Sequence, residues 1–176
     1  MYVGVDLSHG PPGTGMLHST VAVVASVGDI PNRYLKEIYI QDRSSKERGQ
    51  SWECIVNMKE IMKSLIGQYK NLQGYPPNAI IIYRDGISTS EFTTVFHDEL
   101  TAIREACVES APVYQPYLTY IVVNKRHHTR IYSTDSDENV EAGTVVDSEI
   151  TDPTTQNFYL SSHHVDKNKV NKFIFS

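Results

Sequence analysis

The sequence Ile80-Ile81-Ile82-Tyr83-Arg84-Asp85-Gly86-Ile87-Ser88 carries an unbroken apolar run into an Arg-Asp-Gly turn. A run rich in Ile, with Pro76-Pro77 before it and Gly86 after it, predicts a fully buried strand. Both faces of such a strand need cover, which places it in the middle of a sheet. Asp85 then stands at the C-terminal end of a central strand, where loops and ligands gather. Asp-Gly is also a common turn pair, and alone it would do no more than shape the turn.

Outward from this strand, the chain carries further short apolar runs that end in polar groups. Tyr2 to Leu7 predicts a strand ending in Asp6, followed by a Gly- and Pro-rich loop from Ser8 to Gly15. Gly10 to Gly15 lacks the Gly-Lys-Ser/Thr ending of a phosphate loop, and no helix pattern follows. Thr20 to Val27 predicts a second strand, and Tyr34 to Gln41 a third with one covered face. The short turn between them makes the pair antiparallel.

Ile55, Met58, Ile61, Met62, Leu65, Ile66 and Tyr69 recur at helical spacing and form a core-facing stripe. Glu53 precedes that helix, where an acid commonly caps the N-terminus or offsets the dipole. Ser88-Thr89-Ser90-Glu91 has capping-box spacing ahead of a second helix with Phe92, Val95, Phe96, Leu100, Ile103 and Cys107 on one side. Tyr117 to Asn124 predicts another buried strand. It runs into Lys125-Arg126-His127-His128-Thr129-Arg130, the one dense basic cluster. Asn157 to His163 predicts a last strand ending in a histidine.

Composition bounds the class. The 176 residues suit a single domain with a real core, and 40% hydrophobic with 21% charged residues fits a soluble globular protein. No apolar segment approaches a membrane span, and the N-terminal residues lack signal-peptide character. Cys54 and Cys107 are too few for a disulfide framework or a cysteine zinc site, which points to an intracellular protein. His163-His164 has no partnered spacing for zinc. The net charge of -5 and a pI near 5.8 argue against a broad basic nucleic-acid surface. A nucleic-acid partner would need a local positive patch, or metal ions to offset the acids.

Several of these segments resemble, in order, the Piwi domain of Argonaute proteins. Gly4-Val5-Asp6-Leu7-Ser8-His9-Gly10 is similar to that family's first-aspartate motif, with Leu7 and Gly10 replacing its valine and proline. Tyr83-Arg84-Asp85-Gly86-Ile87-Ser88 resembles the second-aspartate motif. Glu53 to Gln68 matches the family's helix without a gap, and Phe96 to Leu100 and Ala102 to Cys107 are close to the pattern of the next. Lys125 to Arg130 resembles the segment that lies along the guide strand, and Ala142 to Asp147 also resembles the family. Asn157 to His163 is similar to the segment whose histidine is the last catalytic ligand.

The resemblance implies an α/β, ribonuclease H-like mixed sheet flanked by helices. It covers residues 1–164 as an incomplete Piwi domain, with 165–176 a divergent tail that replaces segments covering the sheet. Asp6, Glu53, Asp85 and His163 would form the catalytic set. Glu47 is the fallback for Glu53, since counting from Asp6 points nearer to it. Asp6, Asp85 and His163 would ligate Mg²⁺ or Mn²⁺, and Lys125, Arg126, His128 and Arg130 would contact RNA. The implied activity is small-RNA-guided endonucleolytic cleavage of a target RNA by two metal ions, leaving a 5′-phosphate and a 3′-hydroxyl. Guide RNA, target RNA and silencing-complex proteins are the implied partners. The expected location is the cytoplasm, with the nucleus as an alternative. A non-cleaving fragment that holds RNA or a silencing partner is the rival reading, and an incomplete gene product that folds poorly is the third.

Overall fold

The computed structural model describes residues 1–10, 18–28, 32–42, 53–88, 90–125, 127–134, 139–152 and 156–163, and the backbone of 173–175. Glu47 and Arg126 lie outside the described residues. The chain divides into two compact units, Met1–Tyr120 and Ile121–Ser176.

In the first unit, strands β1 (Tyr2–His9), β2 (His18–Ser26) and β3 (Tyr34–Asp42) precede helix α1 (Met58–Gln73). Strand β4 (Ala79–Asp85), helix α2 (Phe92–Ser110) and the first half of β5 (Tyr117–Asn124) follow. The sheet order is β3-β2-β1-β4-β5. β2 pairs antiparallel with both β1 and β3, as its short connection to β3 predicts, whereas β1 and β4 run parallel. The result is the expected mixed α/β sheet with helices against it.

Alternation along the strands separates two faces. Val3, Val5 and Leu7 of β1, Val21, Val23 and Ala25 of β2, and Ile80 and Ile82 of β4 point to the helices. They form one core with Ile55, Met58, Ile61, Met62, Leu65 and Ile66 of the α1 region and Ile103, Ala106 and Cys107 of α2. The stripe predicted for α1 is therefore the packing face, and Gly74 ends that helix in the left-handed region, its amide bonded to the Lys70 carbonyl at 2.8 Å.

Several expectations need correction. Strand β1 does not end at Asp6 but runs on to His9, β5 is largely open, with Val122 its one buried residue, and the strand expected over Asn157 to His163 covers Phe158–Leu160 and is not the last. β4 is buried on one face only: Ile80, Ile82 and Arg84 are covered, while Ile81 and Asp85 are half-buried and Tyr83 is exposed. The helices cover a single side of the strand. The proposed capping box also forms differently. Glu91 is itself the N-cap of α2, and the Ser88 hydroxyl donates to its carboxylate at 3.0 Å.

In the second unit, β6 (Val145–Val146), β7 (Phe158–Leu160) and β8 (Phe173–Phe175) join the end of β5 in the order β5-β8-β7-β6. β8 pairs antiparallel with β5 and with β7, so the segment after residue 164 supplies a strand.

Removing three methyl or methylene groups from a fully buried site costs about 3 kcal/mol, through lost burial and the cavity left behind. Ile82→Ala should lower unfolding stability by that amount in urea denaturation. Ile38→Ser, on the open face of β3, should change it by no more than about 0.5 kcal/mol.

Candidate functional site

Asp6 and Asp85 reach one place because of strand register. The parallel pairing of β1 with β4 runs through Gly4 with Tyr83 and Val5 with Arg84. One residue further, Asp6 and Asp85 stand side by side, both on the face away from the helices. Gly86 follows with φ +54, a backbone conformation that glycine adopts without the strain of a side chain, and it turns the chain sharply after Asp85. Two adjacent carboxylates repel unless a cation lies between them. As oxygen donors, they fit Mg²⁺ or Mn²⁺.

Glu53 is placed differently. Its Oε1 is 3.2 Å from His9 Nε2, and His9 Nδ1 is 2.8 Å from the Ser19 hydroxyl. With the proton on Nε2, His9 donates to the carboxylate and accepts from Ser19. His9 and Ser19 belong to the covered side of their strands, together with Leu7 and Val21. Glu53 is thus tied to the helix-side residues, while Asp6 and Asp85 occupy the open face. Among the described residues, no three His, Cys, Asp or Glu side chains gather closely enough to hold a metal ion.

The segment bearing Glu53 is irregular, so its backbone groups need partners from elsewhere. Buried side chains supply them residue by residue. Arg84 donates to the Glu53 carbonyl at 2.6 Å and Gln41 to the Cys54 carbonyl at 3.2 Å. The Ile55 amide donates to Glu99 Oε1 at 3.1 Å, and the Val56 amide to Gln41 Oε1 at 3.3 Å.

Arg84 and Glu99 are both fully buried, with Arg84 Nε 3.4 Å from Glu99 Oε2. Arg84 also donates to the Asp85 carbonyl at 2.6 Å, and the Tyr120 hydroxyl donates to Glu99 Oε2 at 2.6 Å. Burial pushes the Glu99 carboxyl above its ordinary range, against the pull of Arg84, the Tyr120 hydroxyl and the Ile55 amide. The Tyr120 hydroxyl is pushed up by burial and by the neighbouring carboxylate. A neutral Glu99 would leave the guanidinium inside the core without a counter-charge, so the ion pair is the form this fold holds.

The sequence reading used Arg84 only as part of the turn motif and Glu99 only as part of a resemblance. One signal was available: with strict alternation, Arg84 shares the face of Ile80 and Ile82, and a cation there requires a buried acid.

In the second unit, His163 is an exposed residue beyond β7, with Nδ1 2.8 Å from the Ser162 hydroxyl. Within the basic cluster, Lys125, His128 and Arg130 are exposed. Arg130 donates to the carbonyls of His127 and Thr129, each at 2.9 Å, and so shapes its own loop. His127 turns inward, its ring edge-on to Tyr159 at 5.5 Å between centroids.

The sequence profile of the Piwi domain matches residues 1–171. The chain belongs to the Piwi domain family. The fold agrees with solved members. The C-terminal lobe of a budding yeast Argonaute superposes with a TM-score of 0.78 at 24% identity, over 99% of this chain. Drosophila Piwi gives 0.79 at 25% identity, and Kluyveromyces polysporus Argonaute with a guide RNA gives 0.76 at 24%, each over 99% of this chain. The chain spans 37% of the yeast lobe and 22% of each of the other two. Its sheet and helices are those of a Piwi, ribonuclease H-like domain.

The Tyr120 hydroxyl is a donor to a buried charge, and such a bond contributes about 2 kcal/mol. Tyr120→Phe should lower stability by that amount in chemical denaturation. Tyr117→Phe, on a ring 84% exposed, should leave it unchanged.

Proposed function

We propose that this Piwi domain cleaves an RNA strand paired to a small guide RNA. The observation that carries the reading is the side-by-side placement of Asp6, within β1, and Asp85, at the end of the parallel strand β4. The Kluyveromyces polysporus Argonaute of the same fold, solved with a guide RNA, supports the choice of partner. Asp6 and Asp85 would hold Mg²⁺ or Mn²⁺, with His163 as a further ligand, supplying the means to activate water and stabilise the leaving oxygen of a phosphodiester.

The protein's own side chains take the remaining roles. Asp6 and Asp85 project from rigid strands and fix where the scissile phosphate must lie. Glu53, brought over from His9, would orient the attacking water by accepting its proton through a hydrogen bond. Lys125, Arg126, His128 and Arg130 would position the RNA backbone through its phosphates, and base pairing with the guide would choose the sequence. A duplex bound by shape and charge explains why an acidic chain needs only this one basic segment.

A binding role without cleavage is the second reading. It is favoured by the position of Glu53 on His9 and by the missing third metal-capable group among the described residues.

The test uses the 176-residue chain loaded with guide RNA and given a fully complementary target in Mg²⁺ or Mn²⁺. The wild type should cut once, opposite the guide, leaving a 5′-phosphate and a 3′-hydroxyl. Asp85→Asn should lose cutting by at least about 100-fold while holding guide and target as well as before or slightly better, because a repelling charge is gone. Binding without any cutting across both ions would establish the second reading instead.

A further inference from the structure

Strand β3 ends the sheet, and among the described residues no strand pairs with its outer side. Its inner side is held by an unbroken register with β2, from Ser26 with Tyr34 to His18 with Asp42. The strand is anchored from the helix side as well. Leu35 and Tyr39 pack against the core, and the Glu37 carboxylate accepts from the Ser64 hydroxyl at 2.6 Å and the Gln68 amide at 2.8 Å. A long, firmly held strand with one open edge is a template for another strand.

The open face of β3 selects which strand fits. Lys36, Ile38, Ile40 and Asp42 follow one another along it, and all four are exposed, Ile38 by 63% and Ile40 by 73%. Read in reverse, this row keeps its apolar centre and exchanges the charges at its ends. An antiparallel copy centred on Tyr39 therefore sets Lys36 against Asp42 of the second copy and Ile38 against Ile40 of the second copy, each twice. On the helix side, Glu37 then meets Gln41 and Tyr39 meets its own equivalent, so no like charges are opposed. Centring on Ile38 would instead oppose Lys36 to Ile40, and centring on Glu37 would oppose that carboxylate to itself. A lysine on an edge strand ordinarily guards against pairing. Asp42 offsets it in one register only, which turns the guard into a selector.

We propose that β3 is a homodimerisation edge: two copies join β3 to β3, antiparallel, about a two-fold axis at Tyr39. Main-chain hydrogen bonds supply affinity, and the Lys36–Asp42 and Ile38–Ile40 pairs supply the register. The contact uses the same edge on both copies, so it closes at two. It extends the sheet sideways and leaves the face that bears Asp6 and Asp85 uncovered. The inference is independent of the cleavage reading.

The test is sedimentation velocity on the 176-residue chain, with circular dichroism to show that each variant folds. The mass should rise from 19.9 kDa toward twice that value as concentration increases. A Kd on the order of 10 µM suits a contact at the small end of specific interfaces. Asp42→Lys sets two lysines against each other at both ends and should weaken the dimer by at least about tenfold, as should Lys36→Asp. The charge exchange Lys36→Asp with Asp42→Lys restores both pairs and should return the dimer to within about threefold of wild type.

Engineered cysteines read the register. Ile38→Cys mixed with Ile40→Cys should give an intermolecular disulfide on oxidation, because the two positions face each other. Neither variant alone should do so, since its own equivalent stands on the diagonal at about 7–8 Å, beyond disulfide reach. The native Cys54 and Cys107 are buried.

A chain that stays monomeric up to about twentyfold above that Kd overturns the inference. A dimer that Asp42→Lys leaves intact, or that the charge exchange does not restore, uses another surface and overturns it too. Cross-linking of either cysteine variant alone rejects the register, and growth beyond two copies rejects the closed contact.

Discussion

A guanidinium and a carboxylate, both wholly removed from water, meet between β4 and α2. Desolvating them is costly, and their mutual attraction and the hydrogen bonds of the two terminal guanidinium nitrogens and both carboxylate oxygens offset that cost, while Arg84 Nε has the ion pair alone. The partners are the structurally informative part. They are not solvent-facing groups but the backbone of the irregular segment before α1, the end of β4, and a hydroxyl on β5. An apolar pair of the same volume would fill the space equally well. It would leave the carbonyls of Glu53 and Asp85 without these donors, and the approach to α1 would have fewer reasons to adopt one path.

The first unit has two unlike faces as a result. Against the helices lie the aliphatic core and, at its margin, the polar groups Ser19, Gln41, Arg84 and Glu99, each satisfied by a bond within that unit. On the other face, Tyr2, Val24, Tyr34, Ile38, Ile40 and Tyr83 remain exposed beside Asp6 and Asp85. The acids therefore lie at the edge of an apolar surface. Low-polarity surroundings strengthen the attraction of paired carboxylates for a cation and for a charged phosphate held by it.

Much of this was legible before any coordinates. Periodicity gave the helical stripe from Ile55 to Tyr69, and alternation gave β3 with one covered face. Asp6 and Asp85 were each found at the end of an apolar run, and their adjacency follows once β1 and β4 pair in parallel. In the loop after β5, His128 is exposed whereas His127 packs on Tyr159, a difference that the run of basic residues does not encode. The misses have a common cause. Three consecutive isoleucines concealed the alternation of β4, because a run with no polar residue carries no period. That hid the inward aim of Arg84, and without an inward cation nothing in the sequence marked Glu99 among the surface-like residues His97 and Asp98. The position of Glu53 depends on a side-chain contact across 44 positions of sequence, which no local pattern encodes.

Neighbouring residues on β4 serve opposite environments: Arg84 enters the core and Asp85 leaves it. A slip of the strand by one position would exchange them. The carboxylate would be driven into the aliphatic interior opposite another acid, Glu99, and the guanidinium would be cast onto the open face beside Asp6, where it would occupy the room a cation needs. Such a mispaired sheet would bury two like charges and neutralise its own acidic pair, so it would be disfavoured in folding and inert if formed. The same dipeptide that equips the strand for chemistry thus acts as its register mark, and an insertion or deletion anywhere between Ala79 and Asp85 would be read as an electrostatic error rather than a change of length.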